Sequence, residues 1–146
     1  MILVGLPGSG KTSFFRSRFA ATHEHVSKDL MASARDKGAR QVVLVEQALR
    51  AGRSVVVDNT NPRVADRAPL IAAARRHGAR VAAYVLDTPR AECLQRNRGR
   101  EGRARVPDVA VHVAASRLQA PTREEGLDEL FTVRAAGGAF DVEPRP

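Results

Sequence analysis

The chain has 146 residues, a formal net charge of +8 and a hydrophobic fraction of 43%, which fits one domain with a single core. No apolar run reaches the roughly eighteen residues of a membrane span, so we expect no membrane-spanning helix. The first apolar run starts at Met1, so we expect no signal peptide. The lone cysteine, Cys93, is expected to be buried in a helix, and it fits a reducing, cytoplasmic compartment.

The positive charge is carried mainly by arginine. The chain has 24 Lys and Arg residues against 16 Asp and Glu, and 21 of the 24 are arginine. A guanidinium group binds phosphate through two parallel hydrogen bonds, so a polyanionic partner such as nucleic acid is predicted. Codon bias in a GC-rich genome is an alternative source of the preference for arginine over lysine, but it would not produce the positive excess.

Strand and helix signals alternate along the chain. Strands are predicted at 1–4, 25–27, 54–57, 80–86 and 130–133, and helices at 12–20, 30–51, 62–77, 89–97 and 107–119. This alternation predicts a three-layer α/β fold, with a parallel sheet of four or five strands and helices on both faces. We expect one domain over residues 1–133, followed by a weakly patterned, partly mobile tail over residues 134–146.

Between the first strand and the first helix lies the sequence GLPGSGKT, residues 5–12, which matches the P-loop pattern without a gap. Glycines let the backbone turn its N–H groups around a phosphate, and the positive end of the helix dipole adds attraction. Lys11 is expected to reach the outer phosphates of a nucleoside triphosphate, and the Thr12 hydroxyl to bind Mg²⁺. The predicted nucleotide-binding residues here are Gly5, Pro7, Gly8, Ser9, Gly10, Lys11 and Thr12.

Two aspartates follow predicted strands, where ligands gather in open α/β sheets. Asp29 is either the N-cap of the next helix or a general base that accepts the proton of an attacking hydroxyl. Asp58 is either a magnesium-organising carboxylate or a turn-forming residue beside Asn59-Thr60-Asn61. The position of each residue permits both interpretations.

The segment from Arg96 to Arg105 carries five arginines and two glycines between two predicted helices. This composition predicts a movable lid at about residues 96–106, whose arginines neutralise charge on a transferred phosphoryl group. The alternative is a solvated surface segment with no catalytic role.

Taken in chain order, five stretches resemble the kinase domain of polynucleotide kinases: GLPGSGKT, HVSKD, VVVDNTNP, QRNRGR and RLQAPTREEG. The likeness runs from about Met1 to Val133. Members of this family transfer the γ-phosphoryl group of ATP, with Mg²⁺, to 5′-hydroxyl ends of DNA or RNA during strand repair. The resemblance therefore implies a P-loop kinase fold, ATP and Mg²⁺ as cofactors, and a nucleic acid as the acceptor.

The resemblance also implies roles for particular residues. Asp29 matches the general base. Lys11 and Thr12 match the phosphate- and magnesium-binding pair, and Ser13 continues the helix start after them. Arg96 and Arg100 match lid arginines that contact the nucleotide, with Arg100 the better candidate for the transition state. Some members carry an acceptor-binding arginine one helical turn after the aspartate, where this chain has Ala32, and Arg35 lies a further turn along.

Two other functions share these motifs. A kinase of a small metabolite or nucleoside would have the same P-loop and general base. An ATPase module would work with a partner subunit and would not need Asp29. The oligomeric state is left open by the sequence.

Overall fold

The computed structural model describes residues 1–31 and 33–146. Strands and helices alternate along the chain as the sequence pattern predicts. Their order is β1 (Ile2–Val4), α1 (Lys11–Arg18), β2 (His23–Val26), α2 (Lys37–Arg50), β3 (Ser54–Asp58), α3 (Val64–Arg76), β4 (Ala82–Leu86), α4 (Arg90–Arg98), α5 (Asp108–Arg117), β5 (Glu129–Ala136) and β6 (Ala139–Pro144). Short 3₁₀ helices cover Lys28–Leu30, Gly102–Ala104 and Arg123–Glu125.

The strands form one six-stranded sheet in the order β2-β3-β1-β4-β5-β6. All neighbouring strands are parallel except β5 and β6, which form an antiparallel pair. The predicted α/β class is confirmed, but the sheet has six strands instead of the four or five expected, and its last strand is antiparallel. Since β1 is central, the P-loop that follows it lies near the middle of the carboxyl edge of the sheet.

The prediction for the C-terminal tail is wrong in one respect, because residues 139–144 form the strand β6. Gly137 and Gly138 join it to β5 in a two-residue turn, and both have positive φ, +56° and +82°. Such turns favour glycine and match the twist of a hairpin. The Phe140 ring lies 5.3 Å from the Phe14 ring, so the hairpin is anchored on α1.

The core divides between the two faces of the sheet because successive strand residues point to opposite faces. On one face Val4 and Val57 pack with residues of α2 and α3, among them Val45 and Leu70. The other face packs on α1, and its buried side chains are Leu3, Phe14, Phe15, Val56, Leu86 and Val133. The three predicted layers are therefore present.

The second helix begins later than predicted. A helix was expected from Leu30, but α2 begins at Lys37, and Asp36 caps it by accepting a hydrogen bond from Ala39 N at 3.0 Å. A capping aspartate satisfies a backbone N–H that would otherwise lack a partner, which explains the start of the helix.

Within the described ranges, no helix combines the length and the apolar character that crossing a bilayer requires.

Candidate active site

The P-loop packs against α4 and is bonded to the segment between β4 and α4. Gly8 and Gly10 have φ of +82° and +98°, a conformation that glycine adopts readily. A Cβ at Gly8 would lie only 2.5 Å from the carbonyl oxygen of Cys93 on α4, so no larger residue fits without a shift. Thr88 Oγ1 donates to Ser9 O at 2.9 Å and ties the loop to the segment after β4.

Lys11 is buried inside the loop. Its Nζ donates to the carbonyl oxygens of Gly5 and Leu6 at 3.1 and 2.9 Å. Burial lowers the pKa of the Lys11 ammonium to about 8, with Asp58 partly offsetting the shift and Arg100 adding to it. Bound phosphate oxygens would favour the charged form, so this lysine is suited to an anionic ligand.

Thr12 and Asp58 meet at the floor of the site. Thr12 Oγ1 donates to Asp58 Oδ2 at 2.6 Å, and His25 Nε2 contacts the same carboxylate oxygen at 2.8 Å. These hydrogen bonds join Asp58 to α1 and β2 rather than to the turn that follows it. His25 was missed in the sequence analysis. No local pattern links it to Asp58, which lies 33 residues further along the chain.

Asp29 lies in the 3₁₀ turn after β2. Ser27 caps this turn, because its hydroxyl accepts a hydrogen bond from Asp29 N at 3.3 Å, and Asp36 caps α2. The interpretation of Asp29 as an N-cap is therefore wrong. Its side chain is exposed and makes no hydrogen bond or ion pair with another described residue.

These groups line one cavity of about 370 Å³ at the carboxyl edge of the sheet. β2 and β1 are separated by β3 alone, so the ends of their backbones are roughly 10 Å apart across two strand spacings. The lining residues are Pro7, Gly8, Gly10, Lys11, Thr12, Lys28, Asp29, Asp58, Asn59, Thr60, Asn61, Pro62, Arg63, Asp66, Arg100, Arg103, Ala104, Val106 and Arg117. Asp29 thus faces the same space as the P-loop.

The arginine-rich segment divides into two parts. Arg100 lines the cavity, together with Arg103, which the sequence analysis did not single out. Arg96 is not among the cavity residues. Its guanidinium pairs with Glu92 at 2.5 Å and lies beside the loop, 3.4 Å from where a Cβ of Gly10 would be. The fold therefore places Arg100 at the cavity, and Arg96 outside it.

The base of the segment is closed by a buried asparagine. Asn97 Nδ2 donates to Val106 O at 2.6 Å, and Val106 N donates to Asn97 Oδ1 at 3.0 Å. This reciprocal pair holds residues 97 and 106 together, so the arginine-rich segment between them is a loop whose two ends are joined.

The loop after β3 is braced from below. Asn61, with φ of +44°, donates from Nδ2 to Leu3 O at 2.8 Å, and Asn59 Nδ2 donates to Gln41 Oε1 at 2.5 Å. Asn59 Oδ1 accepts from Lys28 N at 2.8 Å, which links this loop to the turn that carries Asp29. The asparagines therefore set the distance between two walls of the cavity.

The position discussed for an acceptor-binding arginine, Ala32, lies outside the described residues. Arg35 is exposed and is not among the residues that line the cavity. Its role as a replacement stays a prediction. Arg117, at the end of α5, does line the cavity, although the sequence analysis did not select it.

A larger cavity of about 510 Å³ lies at the opposite, amino edge of the sheet. Its walls are mainly core side chains such as Val45, Leu49 and Leu70, and none of the predicted site residues lines it. It lies between the sheet and the helices α2 and α3, away from the P-loop.

Two oxygens at the floor of the site suit a magnesium ion. The Thr12 hydroxyl and the Asp58 carboxylate supply hard oxygen donors of the kind Mg²⁺ prefers. Residues 1–31 and 33–146 contain no group of three or more His, Cys, Asp or Glu placed to hold a metal alone. Mg²⁺ commonly completes its shell with phosphate oxygens and water, so these residues fit the ion in the presence of a nucleotide.

A P-loop at the centre of a mostly parallel sheet, with a carboxylate and arginines lining the same cavity, defines the class of P-loop kinases. The family described as AAA domain matches residues 1–121, and the chain belongs to this family.

Two curated relatives carry the names of polynucleotide enzymes. The chain is 29% identical over 137 residues to the bifunctional polynucleotide phosphatase/kinase of Schizosaccharomyces pombe, covering 91% of this chain and 33% of that protein. It is also 29% identical over 140 residues to a protein of Acanthamoeba polyphaga mimivirus named for the same two activities, covering 91% and 32%. The chain thus spans about a third of the length of these relatives. The resemblance to polynucleotide kinases is confirmed.

The fold has relatives of other kinds. A gluconokinase from Sinorhizobium meliloti 1021 matches with a TM-score of 0.65 and 19% identity, covering 92% of this chain and 81% of that one. At this identity the match supports the P-loop kinase fold and nothing about the acceptor.

Proposed function

We propose that this chain transfers the γ-phosphoryl group of ATP, in the presence of Mg²⁺, to the 5′-hydroxyl end of a nucleic acid. One observation carries the proposal: Asp29 and the P-loop residues Lys11 and Thr12 line the same cavity of about 370 Å³. In-line transfer needs a terminal phosphate and a hydroxyl to lie between a general base and the P-loop, and this cavity is the space that the two sides share.

The P-loop is the donor side of the reaction. Its backbone N–H groups and Lys11 bind the β- and γ-phosphates, with Lys11 turning from the carbonyls of Gly5 and Leu6 to the phosphate oxygens. Thr12 and Asp58 bind Mg²⁺, directly or through water. Bound there, the ion would supply positive charge that offsets the negative charge of the phosphates.

Asp29 is the acceptor side. Since no described residue bonds its carboxylate, both oxygens can accept a hydrogen bond from an incoming hydroxyl. Asp29 orients that hydroxyl and takes its proton as the O–P bond forms. Arg100 and Arg103 lie over the same cavity and stabilise the negative charge on the transferred group.

The charge at the cavity favours a polyanionic acceptor. Lys28, Arg103 and Arg117 line it, and none of the three forms an ion pair with another described residue. Cationic side chains that are not neutralised locally bind phosphates of a nucleic acid backbone. The names of the two curated relatives support the same acceptor class.

The test is a labelling assay with the full chain. The protein is incubated with γ-labelled ATP, Mg²⁺ and either a 5′-hydroxyl oligonucleotide, a nucleoside or a sugar. We expect label on the oligonucleotide, and a loss of at least about 100-fold in Asp29→Asn, typical of removing a general base. Asp141→Asn, an exposed aspartate on β6, is the matched control and should keep full activity.

Each other outcome identifies a competing function. Label that appears on a nucleoside or sugar, but not on the oligonucleotide, would mean a small-molecule kinase. ATP hydrolysis without any acceptor, unchanged in Asp29→Asn, would mean an ATPase module.

A further inference from the structure

We propose that His25 is a positioning residue for the magnesium-binding pair: its Nε2 holds the Asp58 carboxylate against the Thr12 hydroxyl. This inference rests on the proposed function, because it assigns a role toward the Mg²⁺ that accompanies ATP.

Two hydrogen bonds reach the same oxygen of Asp58. Thr12 Oγ1 lies 2.6 Å and His25 Nε2 lies 2.8 Å from Oδ2. An ionised carboxylate can only accept hydrogen bonds, so both partners donate to it. The Asp58 side chain is only 4% exposed, and the two donors compensate for its removal from water.

The bond from Thr12 has a consequence for metal binding. A hydroxyl has one hydrogen and two lone pairs, and the hydrogen of Thr12 is directed at Asp58. The lone pairs of Thr12 Oγ1 then point away from the carboxylate, and a cation needs a lone pair. His25 restrains Asp58 and thereby sets the direction of the Thr12 hydroxyl.

The imidazole is itself held by packing. Its ring stacks on Phe15 at 4.2 Å with an interplanar angle of 16°. Phe15 lies on α1, three residues after Thr12, so one ring joins β2, β3 and α1 at this point. The register of the sheet agrees, because His25 pairs with Val56, and Asp58 is two residues further along the same face.

Packing and hydrogen bonding can be separated by choice of variant. His25→Phe keeps an aromatic ring on Phe15 and removes the N–H donor, whereas His25→Gln keeps an N–H donor and removes the ring. The matched control is His23→Phe on the same strand. The His23 ring contacts Phe19 at 5.1 Å, and its Nδ1 bonds Thr22 rather than Asp58.

The experiment measures the affinity of a non-hydrolysable ATP analogue by calorimetry, once with Mg²⁺ and once with EDTA. The gain from Mg²⁺ is the affinity measured with Mg²⁺ divided by the affinity measured with EDTA. We expect this ratio to be about 10-fold or more lower in His25→Phe than in the original chain, as for other groups that orient metal ligands. Its affinity in EDTA should stay within about twofold of the original chain. His25→Gln should retain most of the gain, and His23→Phe all of it.

The proposal is overturned if His25→Phe keeps the full gain, or if it loses affinity equally with Mg²⁺ and with EDTA. The second result would assign His25 to packing alone. If circular dichroism shows that His25→Phe is unfolded, the measurement on His25→Gln tests the proposal instead. His25→Gln keeps an N–H donor, so a loss of the affinity gain from Mg²⁺ in this variant would refute a donor role for His25. No acceptor is present, so a failure here is distinct from a failure of the oligonucleotide assay.

Discussion

Arg67 and Glu125 form a buried bidentate ion pair that ties α3 to the segment before β5. Arg67 Nε lies 2.8 Å from Oε1, and Nη2 lies 3.0 Å from Oε2. The same guanidinium donates to the carbonyl oxygens of Asn61 and Gln119 at 2.8 and 3.0 Å. Through its bond to Asn61 O, Arg67 also holds the loop after β3, which lines the cavity.

Arg67→Met should destabilise the fold strongly. The arginine side chain is fully buried, and its removal leaves Glu125 without its counter-ion and two carbonyls without this donor. Breaking a buried pair in this way costs about 3–5 kcal/mol, whereas exposed pairs contribute less than about 1 kcal/mol. Urea unfolding monitored by circular dichroism measures the free energy of unfolding. Arg80→Met, in the exposed pair with Glu129, is the control. Equal stabilities for the two variants would refute the prediction.

Glu125 makes the fold sensitive to acid. Burial raises the pKa of Glu125, but hydrogen bonds from Arg67 and Thr122 outweigh this and hold the pKa below its usual value. Its contribution to stability is therefore present above the unfolded pKa of about 4.3 and is lost as pH falls through the folded pKa. The unfolding free energy should fall below about pH 4.5 in the original chain. In Arg67→Met/Glu125→Leu that part of the fall should be absent, and an unchanged acid profile would contradict the assignment.

Gly8→Ala should disrupt the P-loop. At a φ of +82° an alanine is strained, and its Cβ would meet the backbone carbonyl of Cys93 at 2.5 Å. Gly78 also has positive φ, +65°, but open space surrounds it, so Gly78→Ala isolates the conformational cost of about 1–2 kcal/mol. We expect Gly8→Ala to lose more stability than Gly78→Ala and to lose ATP binding. Thermal unfolding and calorimetry report both, and comparable effects in the two variants would count against the loop packing described above.

ATP binding should take up a proton through Lys11. Burial lowers the pKa of the free Lys11 ammonium to about 8, and phosphate oxygens placed beside it raise that pKa. Binding therefore charges the lysine in a window above pH 8, and affinity should fall as pH rises through it. Calorimetry at pH 8.5 in buffers with different ionisation enthalpies measures the proton uptake. Lys28→Met should keep the uptake and Lys11→Met should abolish it. Uptake that survives in Lys11→Met would assign the proton to another group.

The hairpin of β5 and β6 should be protected from amide exchange. Residues 139–144 pair with β5, and Arg18 Nη2 also donates to Phe140 O at 2.6 Å. We expect slow exchange for the paired amides of β6, and faster exchange in Phe140→Ala, which loses the ring contact with Phe14. Hydrogen–deuterium exchange by mass spectrometry tests this. Complete exchange of β6 within seconds would support the partly mobile tail expected from the sequence.

Much of the site could be predicted from local patterns. The P-loop was recognisable because positive φ glycines, a buried strand and a helix start are all encoded within a dozen residues. Asp29 and Asp58 were selected because they follow strands, and the cavity does bring them to Lys11, Thr12 and Arg100. The role of each in catalysis stays a prediction.

Other features required the folded chain. His25 is 33 residues from Asp58, and Arg67 is 58 residues from Glu125, so neither pair has a local signal. In the sequence, Arg103 and Arg117 resemble any other surface arginine, and only the folded chain places them at the cavity. Similarly, β6 was missed because its partner strand and the Phe14 ring that anchors it are supplied by packing.

The amino-acid sequence by itself determined the phosphate loop and the layer order of this protein, since backbone preferences and hydrophobic periodicity act over a few residues. Which side chains share the cavity, and which donors compensate its buried carboxylate, was decided only by strand register and long-range packing. These depend on the whole chain, because a one-residue shift in register turns each side chain to the opposite face of the sheet.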